Sequence, residues 1–169
     1  MSVLDQIQQA IINGDLETTK AAVQEAMTGG IPVEQILNAG MIAAMTEVGR
    51  RFQANEFFVP EMLVAARAMK GGLALLRPKL AEANVKAIGK VVIGTVQGDL
   101  HDIGKNLVSM MLEGAGFEVF DVGIDVPPQK FVEAVEQHKP DLVGFSALLT
   151  TTMPMMKTNI EALKQAGLR

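Results

Sequence analysis

Cysteine, tryptophan and tyrosine are absent from the 169-residue sequence, and histidine occurs only twice. The lack of cysteine excludes a disulfide framework and any thiolate metal site. No apolar run approaches the roughly 20 residues of a membrane span, and residues 1–13 are too polar for a signal peptide, so the default expectation is a cytoplasmic protein. The net charge of −4 and the lack of a Lys/Arg run argue against a nucleic-acid partner.

Apolar residues make up 49% of the chain, which is enough to bury a core, and in the first half they recur with helical spacing. This pattern predicts helices over 3–12, 15–28, 33–53 and about 60–83. Short connections between them favour an antiparallel four-helix bundle. Gly71-Gly72 and Pro78 predict a kink or an early stop in the last helix.

After Asn84 short apolar strands alternate with helices. Strands are predicted over 91–96, 118–122 and 141–148, and helices over 103–115, 129–138 and 154–166. Such alternation indicates βαβ units and a parallel sheet. We therefore expect two domains, 1–86 and 87–169. A final helix should lead into another strand, so we also expect the sheet to be incomplete at Arg169, with about two more strands beyond it.

The loop Gly98–Asn106 follows the first predicted strand, and open α/β sheets bind ligands at the carboxyl ends of their strands. His101 lies in this loop. A phosphate-binding P-loop is a poor fit, because five residues separate Gly98 from Gly104 and that motif has four between its glycines. The motif also requires Ser or Thr where Asn106 stands.

Zinc chemistry is also a poor fit, because a catalytic zinc site normally takes three protein ligands. The other histidine, His138, stands beside Lys139-Pro140 at a predicted helix end, where a solvated side chain is typical. One imidazole suffices, however, as axial ligand to a metal held in a macrocycle, and Asp99 could fix its tautomer. Gly98 and Gly104 would let the backbone approach a bulky ligand. The alternative is a histidine that only caps the following helix.

The motif Asp99-x-His101-x-x-Gly104 resembles the signature of cobalamin-binding domains in corrinoid methyltransferases and mutases. The wider string Gly98–Asn106 is closer to the methyl-transfer branch, which includes methionine synthase. Ser146-Ala147-Leu148 matches the second family signature, Ser-x-Leu. Phe57–Met62 with Ala65-Ala66-Arg67 is similar to the family's helical cap. The sequence thus resembles methyltransferase cognate corrinoid proteins, whose fold is a helical bundle cap followed by a Rossmann-like cobalamin-binding domain.

The resemblance implies a cobalamin or related corrinoid cofactor, with His101 as the lower axial ligand of cobalt. It makes Asp99 the hydrogen-bond partner of that histidine and Thr152 the hydroxyl at the end of the relay. Ser146 and Thr150 match positions that contact the buried cofactor tail, and Phe52 and Val59 match cap positions over the corrin. The remaining implied cofactor-binding residues are Gly98, Leu100, Asp102, Ile103, Gly104 and Leu148. A family Gly-Gly pair would lie beyond Arg169.

The function implied by this resemblance is a corrinoid methyl carrier, not itself an enzyme. Such a carrier accepts a methyl group on cobalt from a substrate-specific methyltransferase and delivers it to a thiol or tetrahydrofolate methyltransferase. The resemblance leaves room for a third partner that reactivates the cofactor by reduction. Two alternatives stay open, namely a fragment of cobalamin-dependent methionine synthase and a cobalamin-binding sensor module.

Overall fold

The structure is a computed structural model, and it describes residues 2–168. Contacts divide the chain into two compact units, Met1–Lys86 with Glu113–Gly116 and Ala87–Leu112 with Phe117–Arg169. The elements are α1 (Val3–Ile12), α2 (Leu16–Thr28), α3 (Val33–Gln35), a π-helix (Ile36–Ile42), α4 (Ala43–Gln53), α5 (Val59–Glu82), β1 (Lys90–Thr95), α6 (Ile103–Gly114), β2 (Glu118–Asp121), α7 (Pro128–His138), β3 (Leu142–Ser146) and α8 (Pro154–Gln165). The predicted helical bundle followed by a parallel α/β sheet is confirmed.

The third predicted helix is interrupted by the π-helix, which the sequence pattern did not predict. The Ala43 N–H donates to the Asn38 carbonyl five residues earlier. The wider turn changes which carbonyls are used within the helix, and the Gln8 side chain donates to Ala39 O at 2.6 Å. Gly40 lies against α1, where an added Cβ would stand 3.3 Å from the Ile7 side chain. Close packing against α1 thus accompanies the altered winding.

The early stop expected near Pro78 is not seen, since α5 continues through this residue to Glu82. Leu76 and Leu80 are buried on either side of it, and their burial outweighs the hydrogen bond that proline cannot donate. Gly72 does not end the helix either. A Cβ at Gly72 would lie 3.0 Å from both Met41 Cε and Thr19 Cγ2, so the glycine permits close packing inside the bundle.

The sheet of the second unit has the order β2-β1-β3, and all its strands are parallel. β1 is the central strand, and five of its six residues are buried, as its β-branched sequence predicts. Gly94 leaves room for the buried ring of Phe131, which an added Cβ would approach to 2.9 Å. Phe131 in turn packs edge-on against Phe145, with ring centroids 4.9 Å apart. This core fixes the end of β1 from which the loop of His101 departs.

Two local features differ from the sequence expectations. β3 ends at Ser146, two residues before its predicted end, because the Leu148 N–H donates to the Asp99 side chain at 2.9 Å. His138 is not merely solvated at the end of α7, since its ring stacks on Phe120 with centroids 3.8 Å apart.

Within residues 2–168 there is no helix with the length and hydropathy that a bilayer span requires.

Candidate functional site

The candidate site lies where β1 and β3 end at the same edge of the sheet. Because the strands are parallel, the loop after β1 (residues 96–102) and the loop after β3 (147–153) leave from this edge together. The Val96 N–H donates to Ser146 O at 2.9 Å and joins the starts of the two loops. Asp99 in the first loop is fully buried, whereas His101 two residues later keeps 51% of its side chain exposed.

The Asp99 carboxylate is the centre of the site, because it accepts hydrogen bonds from both loops. Oδ1 lies 2.7 Å from His101 Nδ1 and accepts from the His101 N–H at 3.0 Å. Oδ2 accepts from the Thr152 hydroxyl at 2.6 Å and from the Leu148 N–H at 2.9 Å. Hydrogen bonds from the protein therefore compensate the buried charge for the water that it has lost, as a buried carboxylate requires.

These contacts fix the electrostatics of the histidine. The Thr152 hydroxyl and the His101 N–H together hold the pKa of Asp99 well below its usual range, so the carboxylate is ionised at neutral pH. An ionised carboxylate only accepts hydrogen bonds, so the neutral His101 ring carries its proton on Nδ1. Nε2 then presents a free lone pair, which is the form that binds a metal. The contact of Nδ1 is with the Asp99 side chain, not with the backbone of α6.

Exposed apolar side chains stand on the loops that carry these groups. We call this set the apolar collar, and its exposed fractions run from 42% at Leu149 to 76% at Ile103. Isolated exposed apolar residues are ordinary, but five on three loops at one sheet edge, together with the first residue of α6, form a surface that suits a large apolar-faced ligand. The collar consists of Leu100, Ile103, Ile124, Leu148, Leu149 and Met153.

The two glycines of the motif differ in what they require. Gly98 has φ +84°, a left-handed conformation that other residues adopt only with strain. Gly104 lies in the first turn of α6, and apart from its chain neighbours and the nearby backbone of that helix, no described atom comes within 4 Å of where its Cβ would stand. Packing within the protein thus does not require glycine at 104. The space beside position 104 is open.

Other predicted site residues are placed less centrally. The Asp102 carboxylate accepts from Asn106 Nδ2 at 3.0 Å, within the first turn of α6. Ser146 is the last residue of β3 and is partly buried, whereas Thr150 is exposed in the following loop. The structure brings Asp99, His101, Leu148 and Thr152 into one network. Within residues 2–168 no three His, Asp or Glu side chains are grouped as metal ligands.

Three contacts around the histidine loop were missed by the sequence reasoning. Thr95, fully buried at the end of β1, donates its hydroxyl to His101 O at 3.0 Å. Asp125, in the loop after β2, accepts from the Gly98 N–H at 2.7 Å. The buried Lys105 ammonium forms an ion pair with Asp121 at the end of β2. The only signal for Thr95 in the sequence is a hydroxyl that follows a run of apolar residues and glycine, Val91–Gly94.

Comparisons with known proteins agree with this geometry. Two models, each described as a B12 binding domain, match residues 3–77 and 89–169. The chain is 44% identical over 168 residues to the dimethylamine corrinoid protein of Methanosarcina barkeri, covering 99% of this chain and 78% of that protein. The chain belongs to the corrinoid protein family. Identity to a corrinoid protein of Desulfitobacterium hafniense is 40%, covering 100% of this chain and 80% of that one.

Solved structures extend the likeness of this corrinoid protein to the fold. The methanol:cobalamin methyltransferase complex of Methanosarcina barkeri contains a chain that matches with a TM-score of 0.92 and 30% identity. That match covers 99% of this chain and 64% of the solved one. The monomethylamine corrinoid protein of the same organism matches with a TM-score of 0.59 and 34% identity, covering 99% and 79%. The matches span both the helical and the α/β parts of the chain.

The helical unit of the corrinoid protein contains the two predicted cap residues. Phe52 lies near the end of α4 and Val59 is the first residue of α5, and their exposed fractions are 41% and 37%. The carboxylate of Glu61 accepts from the Phe58 N–H at 3.0 Å and so fixes the start of α5. Arg51 stands over the Phe57 ring, 5.2 Å from its centroid. These contacts order the connection between the two helices that bear these apolar side chains.

Proposed function

We propose that this chain is a corrinoid methyl carrier that works between two methyltransferases. It accepts a methyl group from a substrate-specific methyltransferase and delivers it to a thiol or tetrahydrofolate methyltransferase. Both named relatives are corrinoid proteins, one of them for dimethylamine, and one structural neighbour belongs to a methyltransferase complex. Those names favour a carrier subunit over a complete enzyme, a fragment of methionine synthase or a sensor module.

The observation that carries the proposal is the Thr152–Asp99–His101 network. Because the network engages Nδ1, Nε2 of the half-exposed imidazole is available as a ligand atom. The apolar collar stands on the same loops and on the first residue of α6. We infer that His101 is the lower axial ligand of the corrinoid. The open space at Gly104 gives the macrocycle a place to lie against the backbone. When bound, the corrinoid cobalt supplies the methyl-transfer chemistry, and the protein binds, orients and tunes it.

The network acts by holding one proton and one charge. Asp99 holds the imidazole proton on Nδ1 and so leaves the lone pair of Nε2 available to the metal, as carboxylate partners of metal-binding histidines do. Thr152 and the Leu148 N–H keep the Asp99 carboxylate ionised and oriented. Protonation or loss of Asp99 would therefore weaken the hold of His101 on the metal. The hydrogen bonds of Asp99 would thus adjust how strongly His101 binds the metal without a change in the fold.

We further propose that residues 1–86 form a cap for the upper face of the cofactor. Phe52 and Val59 would supply apolar side chains there, and their exposure in the helical unit fits a contact with a ligand. An apolar cover excludes water from a reactive metal centre. Residues 87–169 would form the cofactor-binding domain, with Ser146 and Thr150 toward the cofactor tail. A reductive activation protein remains a proposed third partner.

Reconstitution with hydroxocobalamin tests the lower-ligand assignment. We expect the unaltered protein to bind the cofactor with the absorption spectrum of imidazole-ligated cobalt. His101→Ala should change that spectrum, because the proposed ligand atom is lost. His138→Ala is the matched control, since it removes the only other imidazole, which stacks on Phe120 away from this network.

The carrier step itself is tested by reducing the cobalt of the loaded protein to cobalt(I) with an added chemical reductant, mixing the protein with methylamines and methylamine methyltransferases, and scoring methylation of the bound cofactor. A spectrum that His101→Ala leaves unaltered would remove the ligand assignment. Failure of the unaltered protein to bind any cobalamin would overturn the proposed function as a whole.

A further inference from the structure

We propose that Thr95 is a positioning residue for His101, and that Asp125 anchors the other end of the same loop. This inference rests on the proposed function, because it concerns how the ligand histidine is held. Neither residue belongs to the Asp-x-His-x-x-Gly motif or to the Thr152 relay. Both reach the loop from neighbouring parts of the sheet edge.

The backbone of His101 is held on its two sides by different residues. Its N–H donates to Asp99 Oδ1 at 3.0 Å, and its carbonyl accepts from the Thr95 hydroxyl at 3.0 Å. Asp99 also binds the ring, so it restrains the N–H side and the side chain together. The carbonyl side is restrained by Thr95. Without it the peptide after His101 can rotate, and the direction of Nε2 is less well fixed.

Burying the Thr95 hydroxyl at this position would be unfavourable if it had no hydrogen-bond partner. It is fully buried, and the four residues before it in β1 are buried and apolar or glycine. A buried hydroxyl without a partner is unfavourable by several times the net gain of a hydrogen bond. A valine would fill the same volume with a better strand former. The contact with the His101 carbonyl accounts for the hydroxyl.

Asp125 holds the start of the loop. Its carboxylate accepts from the Gly98 N–H at 2.7 Å, and its own N–H donates to Asp99 O at 3.1 Å. Asp125 has φ 51°, a left-handed conformation that a non-glycine residue keeps only where its contacts compensate the strain. The two hydrogen bonds are such contacts. The loop is thus fixed at Gly98 by Asp125 and at His101 by Thr95.

Conservative variants separate positioning from stability. Thr95→Val removes the hydroxyl and keeps the shape, whereas Thr95→Ser keeps the hydroxyl. Thr19→Val is the matched control, because Thr19 is also fully buried and donates to a backbone carbonyl, that of Asp15 at 2.6 Å, in the helical unit. In the cofactor-free protein we expect the His101 amide to exchange about fivefold faster in Thr95→Val. Thr95→Ser and Thr19→Val should leave that rate unchanged.

The loaded protein gives the second readout. In the cobalt(II) state of protein whose histidines carry nitrogen-15, the doublet nitrogen splitting in the electron paramagnetic resonance spectrum reports the fraction of cobalt that is bound by histidine. We expect the ratio of histidine-bound to histidine-free cobalt to fall about fivefold in Thr95→Val and to recover in Thr95→Ser.

Asp125→Gly relieves the left-handed strain but removes the carboxylate. It should lower the same ratio, whereas Asp125→Asn, which keeps an acceptor oxygen, should not. This pair keeps the inference testable if Thr95→Val does not fold. Unchanged amide exchange and an unchanged ratio in Thr95→Val or Asp125→Gly would overturn the inference and leave the proposed function intact. Absence of histidine ligation in the unaltered protein would overturn both.

Discussion

Gly104→Ala should make the cofactor-free protein more stable and its hold on cobalamin weaker. Apart from the chain neighbours and the nearby backbone of α6, no described atom lies within 4 Å of the added Cβ, and Gly104 is not among the glycines with positive φ. The substitution therefore meets no steric cost and lowers the entropy of the unfolded chain. In the first turn of α6 this should raise the free energy of unfolding by about 0.4–1 kcal/mol.

The same methyl group would occupy space that we assign to the cofactor. Forcing one extra carbon into a packed contact typically costs about 1–3 kcal/mol. Cobalamin affinity should therefore fall by between about fivefold and about 150-fold, because every 1.4 kcal/mol is about a factor of ten. Opposite signs for stability and affinity are the mark of a residue kept small for a ligand.

Urea unfolding of the cofactor-free protein, followed by circular dichroism, measures the first quantity, and titration with hydroxocobalamin measures the second. Gln137→Ala is a suitable control, since Gln137 is exposed on α7 and its substitution also favours helix. It should leave affinity unchanged. Wild-type affinity in Gly104→Ala would refute the assignment of this space to the cofactor. Lower stability would refute our account of the open position.

Further predictions concern the network and the buried ion pair. Thr152→Val should reduce the fraction of imidazole-bound cobalt about threefold to tenfold, with Thr152→Ser close to wild type, as judged from the absorption spectrum. Because folding lowers the pKa of Asp99, its ionised form stabilises the folded chain above the ordinary value of 3.8 and this contribution is lost as the pH falls below it. Between about pH 5 and about pH 3, the free energy of unfolding measured in urea should accordingly fall less in Asp99→Asn than in wild type. Lys105→Met should lower the free energy of unfolding by about 1–2 kcal/mol, since it leaves the partly exposed Asp121 carboxylate unpaired, and Asp121→Asn in the same chain should restore part of it.

Much of the fold could be predicted from the sequence because periodicity reports burial directly. The β-branched run before Thr95 becomes the buried central strand, and the helices begin and end close to the predicted positions. The π-helix at Ile36–Ile42 could not be predicted, because it depends on how closely Gly40 packs against Ile7. Pro78 misled for the same reason. A local rule predicted a kink or an early stop in this helix, but α5 continues through Pro78, with Leu76 and Leu80 buried on either side of it.

The site was predictable where its chemistry is local. Asp99 and His101 are two residues apart, so their contact is suggested by the motif itself. Thr152 was reached only through the family resemblance, since it lies far along the chain. Thr95 and Asp125 were missed because their partners are backbone groups, whose positions follow from the sheet order and not from a motif. The roles of all these residues remain predictions.

The central claim is that Nε2 of His101 binds the corrinoid cobalt. Electron paramagnetic resonance of the cobalt(II) state, with the protein's histidines labelled with nitrogen-15, tests it most directly. The account predicts nitrogen splitting that changes from a triplet to a doublet on labelling and disappears in His101→Ala. Splitting that is insensitive to the label, as expected if the cofactor's own base were the ligand, would contradict it.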